Sequence, residues 1–208
     1  VSGEPFATFL AKRIFAPLRM TDTGFELSRR QQARLAVAYE KGPQAGLVPQ
    51  PPRPAPKPML YPSPSGGLYS TASDMLAFGQ MLAARGQVGK RRLLAPATVD
   101  KMTRVHFTSS EKVGFTPGLG MGLGVQVVRE PTEVTAMLSP GTFGHGGAHG
   151  TQLWIDPERQ MVLVLMIQRR GFGNGDASPI RQVFQETVVS ALGDDTSGLR
   201  KAAARPAP

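Results

Sequence analysis

Cysteine is absent from the sequence, which excludes disulfides and thiolate-bound metals and leaves the redox compartment open. Long apolar runs are missing too. The longest, Met161 to Ile167, has the length of a strand and falls far short of the ~20 residues of a membrane-crossing helix, so no membrane span is expected. No signal-peptide pattern is visible. Acids are scarce, with 15 Asp and Glu against 24 Lys and Arg and a net charge of +9, a balance that suits nucleic acid or an anionic surface. Aromatics are scarce as well, at 7%, and that bears on the choice. The basic residues, as in Arg29-Arg30, Arg91-Arg92 and Arg169-Arg170, lie beside acids with no rings interleaved to stack bases, and charge alone supplies only non-specific affinity. The excess reads as solvated surface, and no nucleic-acid partner is expected.

The chain does have 40% hydrophobic residues in 208, enough for one domain with a core or for most of a larger one. Its start is abrupt: Val1 is not Met, and Ser2-Gly-Glu-Pro-Phe6 runs straight into apolar residues at helical spacing (Phe6, Phe9, Leu10, Ile14, Phe15), which predict a helix ending at Pro17. Gln31 to Tyr39 gives a weak helix or strand. Gly42 to Pro64 holds nine prolines, too many for a regular element, and reads as a long Pro-rich loop over 43–64. A ligand for a Pro-recognising module is the lesser reading of Pro51 to Pro56. Ser70 to Arg85 is the clearest helix, capped by Ser70 or Ser73, with Met75, Phe78, Met81 and Leu82 as a core stripe and Gly86 as its stop. Pro96 to Arg104 predicts another helix. From Gly118 the period changes to two, and Leu119 to Val127 reads as one strand; its glycine run has no helix after it and so is no phosphate loop. Ser178 to Leu192 predicts a closing helix, and residues 194–208 a disordered tail.

The stretch with chemistry is Gly141-Thr-Phe-Gly-His145-Gly146-Gly147-Ala148-His149-Gly150-Thr151, placed at the entry to a hairpin whose strands are Gln152 to Ile155 and Met161 to Ile167 and whose turn is Asp156-Pro157-Glu158-Arg159. Glycines at a strand edge let a substrate lie against the backbone and let main-chain N–H groups point at it. His145 is the one titratable side chain in that opening, and imidazole suits proton traffic. His145 and His149 have the four-residue spacing of zinc ligands on a helix, but glycines fill the interval and a strand follows, so no metal site is expected. His149 reads as a structural or pocket-edge residue, and His106 has no partner in sequence.

Phe143 to Thr151 followed by Asp156-Pro157 resembles the third signature of the serine β-lactamase-related family, which groups class C β-lactamases, D,D-peptidases and family VIII esterases. Arg13-Ile-Phe-Ala-Pro17-Leu-Arg-Met-Thr-Asp22-Thr-Gly-Phe25 is similar to that family's "PLGM-x-(D/N)-T" segment, with Arg19 where the family has glycine. Ser65-Gly-Gly-Leu-Tyr-Ser-Thr-Ala-Ser-Asp74-Met75 is similar to its "GGL-x-ST-x-xD" helix entry. The resemblance implies an α+β fold, an antiparallel sheet with packed helices, of which residues 1–193 are the C-terminal portion with the N-terminal part missing. It implies an acyl-serine mechanism on a small-molecule ester, β-lactam or D-amino-acid peptide, without a cofactor.

On that resemblance His145 stands at the family's lysine, Gly146 and Gly147 form the substrate-binding edge, and the Ala148 N–H is half of the oxyanion hole. His-Gly-Gly in place of Lys-Thr-Gly favours an esterase, because a permanent lysine charge suits the β-lactam carboxylate. The family's Ser-x-x-Lys and Tyr-x-Asn would lie upstream of Val1, so the chain is expected to be inactive alone and to need the missing N-terminal segment of the same protein. Ser109-Ser110-Glu111-Lys112 and Tyr61-Pro62-Ser63 spell such motifs formally but in the wrong order, and Ser65 reads as a turn residue. The resemblance favours a periplasmic or secreted protein. The alternative from another class is a non-catalytic binding or interaction module that retains the fold.

Overall fold

The computed structural model describes residues 2–44, 46–51, 62–63, 66–108, 116–171 and 177–192. Tyr61, Ser65, the Ser109 to Lys112 run and the 194–208 tail lie outside them. The centre is a six-stranded antiparallel sheet in the order β10-β9-β8-β7-β6-β5, formed by Met161–Leu165, Gln152–Asp156, Phe143–Gly146, Gln126–Val128, Leu119–Met121 and Phe107–Thr108. Helices cover both faces. Because side chains alternate along a strand, Val127, Phe143 and Ile155 point to one face and pack with Leu18, Met20, Met81 and Leu82. Val128, Trp154 and Leu163 point to the other and pack with Val189 of the closing helix Pro179–Leu192. This is the α+β architecture that the sequence implied.

The first helix runs over 6–18 and does not stop at Pro17 as expected. It widens to a π turn at Ala11–Phe15, where the Ala16 N–H bonds Ala11 O, and this tolerates the proline, which has no N–H to donate. It ends at Leu18, with Arg19 in the left-handed region at φ 56, the conformation that makes glycine the natural residue there. The helix at Ala72–Ala83 is capped by Thr71, whose hydroxyl accepts from the Asp74 N–H at 3.2 Å. Ser70 instead meets Thr23 Oγ1 at 2.8 Å, and Ser73 lies inside the first turn.

Two further expectations are corrected. The Pro-rich stretch contains a strand, β2 (Leu47–Gln50), paired antiparallel with β1 (Ala38–Lys41) with Tyr39 opposite Pro49; as an edge strand, β2 has no use for an N–H on its outer side. The weak element before it resolves into a helical turn at Arg29–Gln32, boxed by Ser28 and Gln31, followed by β1. Leu119 to Val127 is two strands, β6 and β7, because the Gly122 N–H bonds Val125 O and Gly124 takes φ +77 to reverse the chain. The turn carries the same Gly/apolar alternation as the strands, which hid it.

Buried polar groups fix the frame. Asp74 accepts from the Asp22 N–H at 2.9 Å and from the Thr23 hydroxyl at 2.7 Å, tying the chain after the first helix to the start of the Ala72–Ala83 helix. Asp156, fully buried at the β9–β10 turn, accepts from the Ser139 N–H (3.0 Å), the Arg159 N–H (3.0 Å) and the Arg159 guanidinium (2.9 Å). Burial alone would raise its pKa, but the bonds from Arg159 and Ser139 together outweigh that and hold it below the ordinary carboxylate value. Arg181 is fully buried with its guanidinium 3.9 Å from the centroid of the Trp154 ring. With the Gln185 side-chain amide turned so that its oxygen faces Arg181, that oxygen accepts from the Arg181 Nε–H at 2.9 Å and the amide nitrogen donates to Val134 O at 2.7 Å.

Candidate active site

The glycine-rich stretch is itself a strand of the sheet, not only the approach to a hairpin. β8 pairs with β9 along Phe143 to Gly146 but with β7 only at Phe143 and Gly144. From His145 onward its β7-facing edge carries no strand partner among the described residues. Gly144 must be glycine for the sheet to close there. A Cβ on it would lie 2.0 Å from Leu153 O and 2.8 Å from Trp154 Cα, both backbone atoms of β9.

The direction of each N–H follows from the register. The Gly147 N–H donates to Thr151 O at 2.8 Å, toward β9. Antiparallel alternation then turns the N–H and C=O of Gly146 the other way, to the open edge. Ala148 follows in the turn, which the Gly150 N–H closes on Gly147 O at 2.9 Å with Gly150 at φ +86. The sequence placed the Ala148 N–H on an outer strand. It lies two residues past the strand, in the turn, and forms no hydrogen bond among the described residues. Gly147 is held tightly: a Cβ there would meet Thr151 Oγ1 at 2.2 Å.

His145 projects an exposed ring from the open edge, with Nδ1 2.6 Å from Gly146 O. A carbonyl only accepts, so Nδ1 carries the proton in this contact and the neutral ring offers Nε2 as an acceptor. His149 does not join it. It sits in the turn, and its carbonyl accepts from the Arg169 N–H at 3.0 Å, so the two imidazoles share no helix face; among the described residues no three potential metal ligands gather. His106 is exposed, with Nε2 2.8 Å from Lys101 O. The strap behind the turn has no signature in the sequence. Gln168 to Arg170 hold β1 through Tyr39 N–H to Gln168 O (2.9 Å) and Arg170 N–H to Tyr39 O (2.7 Å), so the Pro-rich segment leaves a hairpin docked beside the candidate site. No local pattern announces that contact, which joins residues far apart in sequence. A surface cleft of about 1010 Å³ is lined by Phe6, Phe9, Lys12 and their neighbours and takes no residue from β8. The open strand edge, not that cleft, marks this site.

The sheet with its glycine edge and flanking helices defines the class: a β-lactamase or penicillin-binding-protein-like fold. Residues 1–187 match the family model described as Beta-lactamase, and the chain belongs to that family. Protein Rv1367c of Mycobacterium tuberculosis (strain ATCC 25618 / H37Rv) is 34% identical over 180 residues, which are 81% of this chain and 44% of that protein. Among solved structures, EstCE1, a hydrolase with promiscuous acyltransferase activity, superposes with a TM-score of 0.72 at 25% identity, over 90% of this chain and 51% of that one. Unliganded selenomethionyl simvastatin synthase (LovD) from Aspergillus terreus gives 0.70 at 19%, over 92% and 50%, a likeness of fold alone. The chain spans about half the length of these proteins.

Proposed function

We propose that residues 1–193 form the sheet-side wall of the active site of a serine acyl hydrolase, esterase-like in preference, whose serine, lysine and tyrosine are supplied by another segment of the protein. The observation that carries this reading is the open edge of β8, where the Gly146 N–H points outward and the Ala148 N–H is unspent beside an exposed imidazole. A backbone N–H left unspent at a bare edge suits one half of an oxyanion hole, because a fixed dipole needs no reorganisation when charge appears. A serine hydroxyl gives its proton to the lysine supplied with it as its oxygen attacks the ester carbonyl carbon; the carbonyl oxygen takes the negative charge and lies on the Ala148 N–H. The C–O bond to the alcohol breaks, the leaving alkoxide takes that proton, and water then releases the acid from the acyl-serine. His145, with Nε2 free to accept, handles a proton at that edge.

A second open edge supports the part about another segment. The outer side of Met161–Leu165 in β10 has no strand partner among the described residues, although it is uncharged and apolar, the kind of edge that proteins cover. The likeness to EstCE1, a hydrolase with promiscuous acyltransferase activity, supports acyl-transfer chemistry.

The first test is intact mass of this chain after a fluorophosphonate probe. No adduct on folded chain is the expected result; a stoichiometric adduct at Ser109, Ser110 or Ser65 would place the nucleophile inside these residues and sink the division of labour. In a protein that joins this chain to a Ser-x-x-Lys segment, His145→Ala is expected to lower ester turnover with little loss of folding. Absence of any ester, β-lactam or D-peptide turnover there would favour the binding module instead.

A further inference from the structure

Away from the β8 edge, three basic side chains share one groove and no acid answers them. The groove holds about 500 Å³ and lies between the end of the first helix and a tight hairpin, β3 (Gln87–Val88) and β4 (Arg91–Arg92), turned at Gly89 with φ +54. Its floor is apolar: Leu18 is buried, and Val88 and Leu93 pack half-buried against the same core. Its rim carries Arg19, Lys90 and Arg91, all exposed. No Asp or Glu lines it, and none of the three cations is in an ion pair among the described residues. Arg85, nearby in sequence, differs in being paired with Asp100. Arg19 also occupies a left-handed backbone position that a side chain strains and glycine takes freely. A costly residue that adds charge to an acid-free rim above an apolar trough has the design of a site for a ligand with both characters.

We propose that this groove binds an amphipathic anion, its hydrocarbon on Leu18, Val88 and Leu93 and its single carboxylate or phosphate headgroup among Arg19, Lys90 and Arg91. The inference is independent of the β8 site. Long-stemmed Lys and Arg suit it, since their methylenes extend the apolar walls while their heads reach the charge.

Calorimetric titration of the full chain with sodium dodecanoate below its micelle concentration tests it, beside flotation with phosphatidylglycerol vesicles. Dodecyltrimethylammonium and phosphatidylcholine are the controls of opposite or no net charge. Binding is expected to weaken as salt rises, and K90E/R91E is expected to weaken it roughly tenfold or more. Arg19→Gly separates charge from folding, because it should weaken binding while raising the thermal midpoint, glycine being at ease at φ 56. Binding of monomeric dodecanoate identifies a free amphiphile as the source, and binding of anionic vesicles alone identifies a lipid surface. The proposal is overturned if neither binds, if the cationic amphiphile binds as well, or if K90E/R91E changes nothing.

Discussion

Replacing Gly144 by alanine adds one methyl group where β8 runs against the backbone of β9. The new Cβ would stand 2.0 Å from Leu153 O and 2.8 Å from Trp154 Cα, and both are main-chain atoms that no rotamer change can move. To restore ordinary contact the strands must part by more than about 1 Å. That opening falls in the middle of the sheet, where Gly144 also pairs with Gln126 across β7, and it lifts Trp154 from a fully buried site. Losing about two ladder hydrogen bonds at ~1 kcal/mol each, with an overpacking cost of similar size, gives a destabilisation of about 3–5 kcal/mol. For a chain of this size that is a fall in midpoint on the order of 10 °C. Urea unfolding read through the single tryptophan measures it, and two controls calibrate it. Gly141→Ala meets nothing within 4 Å but sits at φ +84, and is expected to cost about 1 kcal/mol from backbone strain alone. Gly66→Ala meets nothing within 4 Å and has no such φ, and is expected to be near neutral. Gly144→Ala within about 1 kcal/mol of the parent would refute the reasoning, because β8 and β9 would then not be packed at the distance described.

Asp74→Ala leaves the Asp22 N–H and the Thr23 hydroxyl without their shared acceptor and is expected to cost about 2–3 kcal/mol. A double-mutant cycle with Thr23→Ala should give a coupling of about 1 kcal/mol, and full additivity would mean that the bond contributes nothing. For Asp156 the folded pKa is depressed, so its stabilisation is fully present above the unfolded carboxylate value. It is lost as pH falls below about 4. Asp156→Asn should therefore destabilise the chain at neutral pH and flatten the acid limb of a stability profile; an unchanged limb would remove Asp156 from the acid response.

What was legible in the sequence was local and repeated. Met75, Phe78, Met81 and Leu82 announce their helix because one face of it must be buried, and the two apolar runs around Asp156-Pro157 announce β9 and β10. β2 was hidden because Pro49 argues against a strand unless its edge position is known, and that position is set by a partner ten residues away. The site was half legible. His145 to Ala148 are consecutive, so composition exposes them, but their openness depends on β7 ending its pairing at Gly144, and nothing in the glycine cluster says where a neighbouring strand stops.

The three family-like segments do not carry equal weight for function. The segment through Asp22-Thr23 and the segment through Ser70 and Asp74 are the two halves of one fastening: Thr23 bonds both Ser70 and Asp74, and Gly24 pairs with Tyr69. A chain that keeps one half is under physical pressure to keep the other, since a lone Asp74 would be a carboxylate buried without donors. Those two matches thus count once, and what they preserve is a fold. The His145 to Ala148 edge differs in kind. Gly144 is demanded by packing against the β9 backbone, but packing makes no demand for an unspent Ala148 N–H or an exposed imidazole. Those two features are where selection for chemistry would register, so variants at His145 and Ala148 test the activity, while variants at Thr23 and Asp74 test only the frame that holds it.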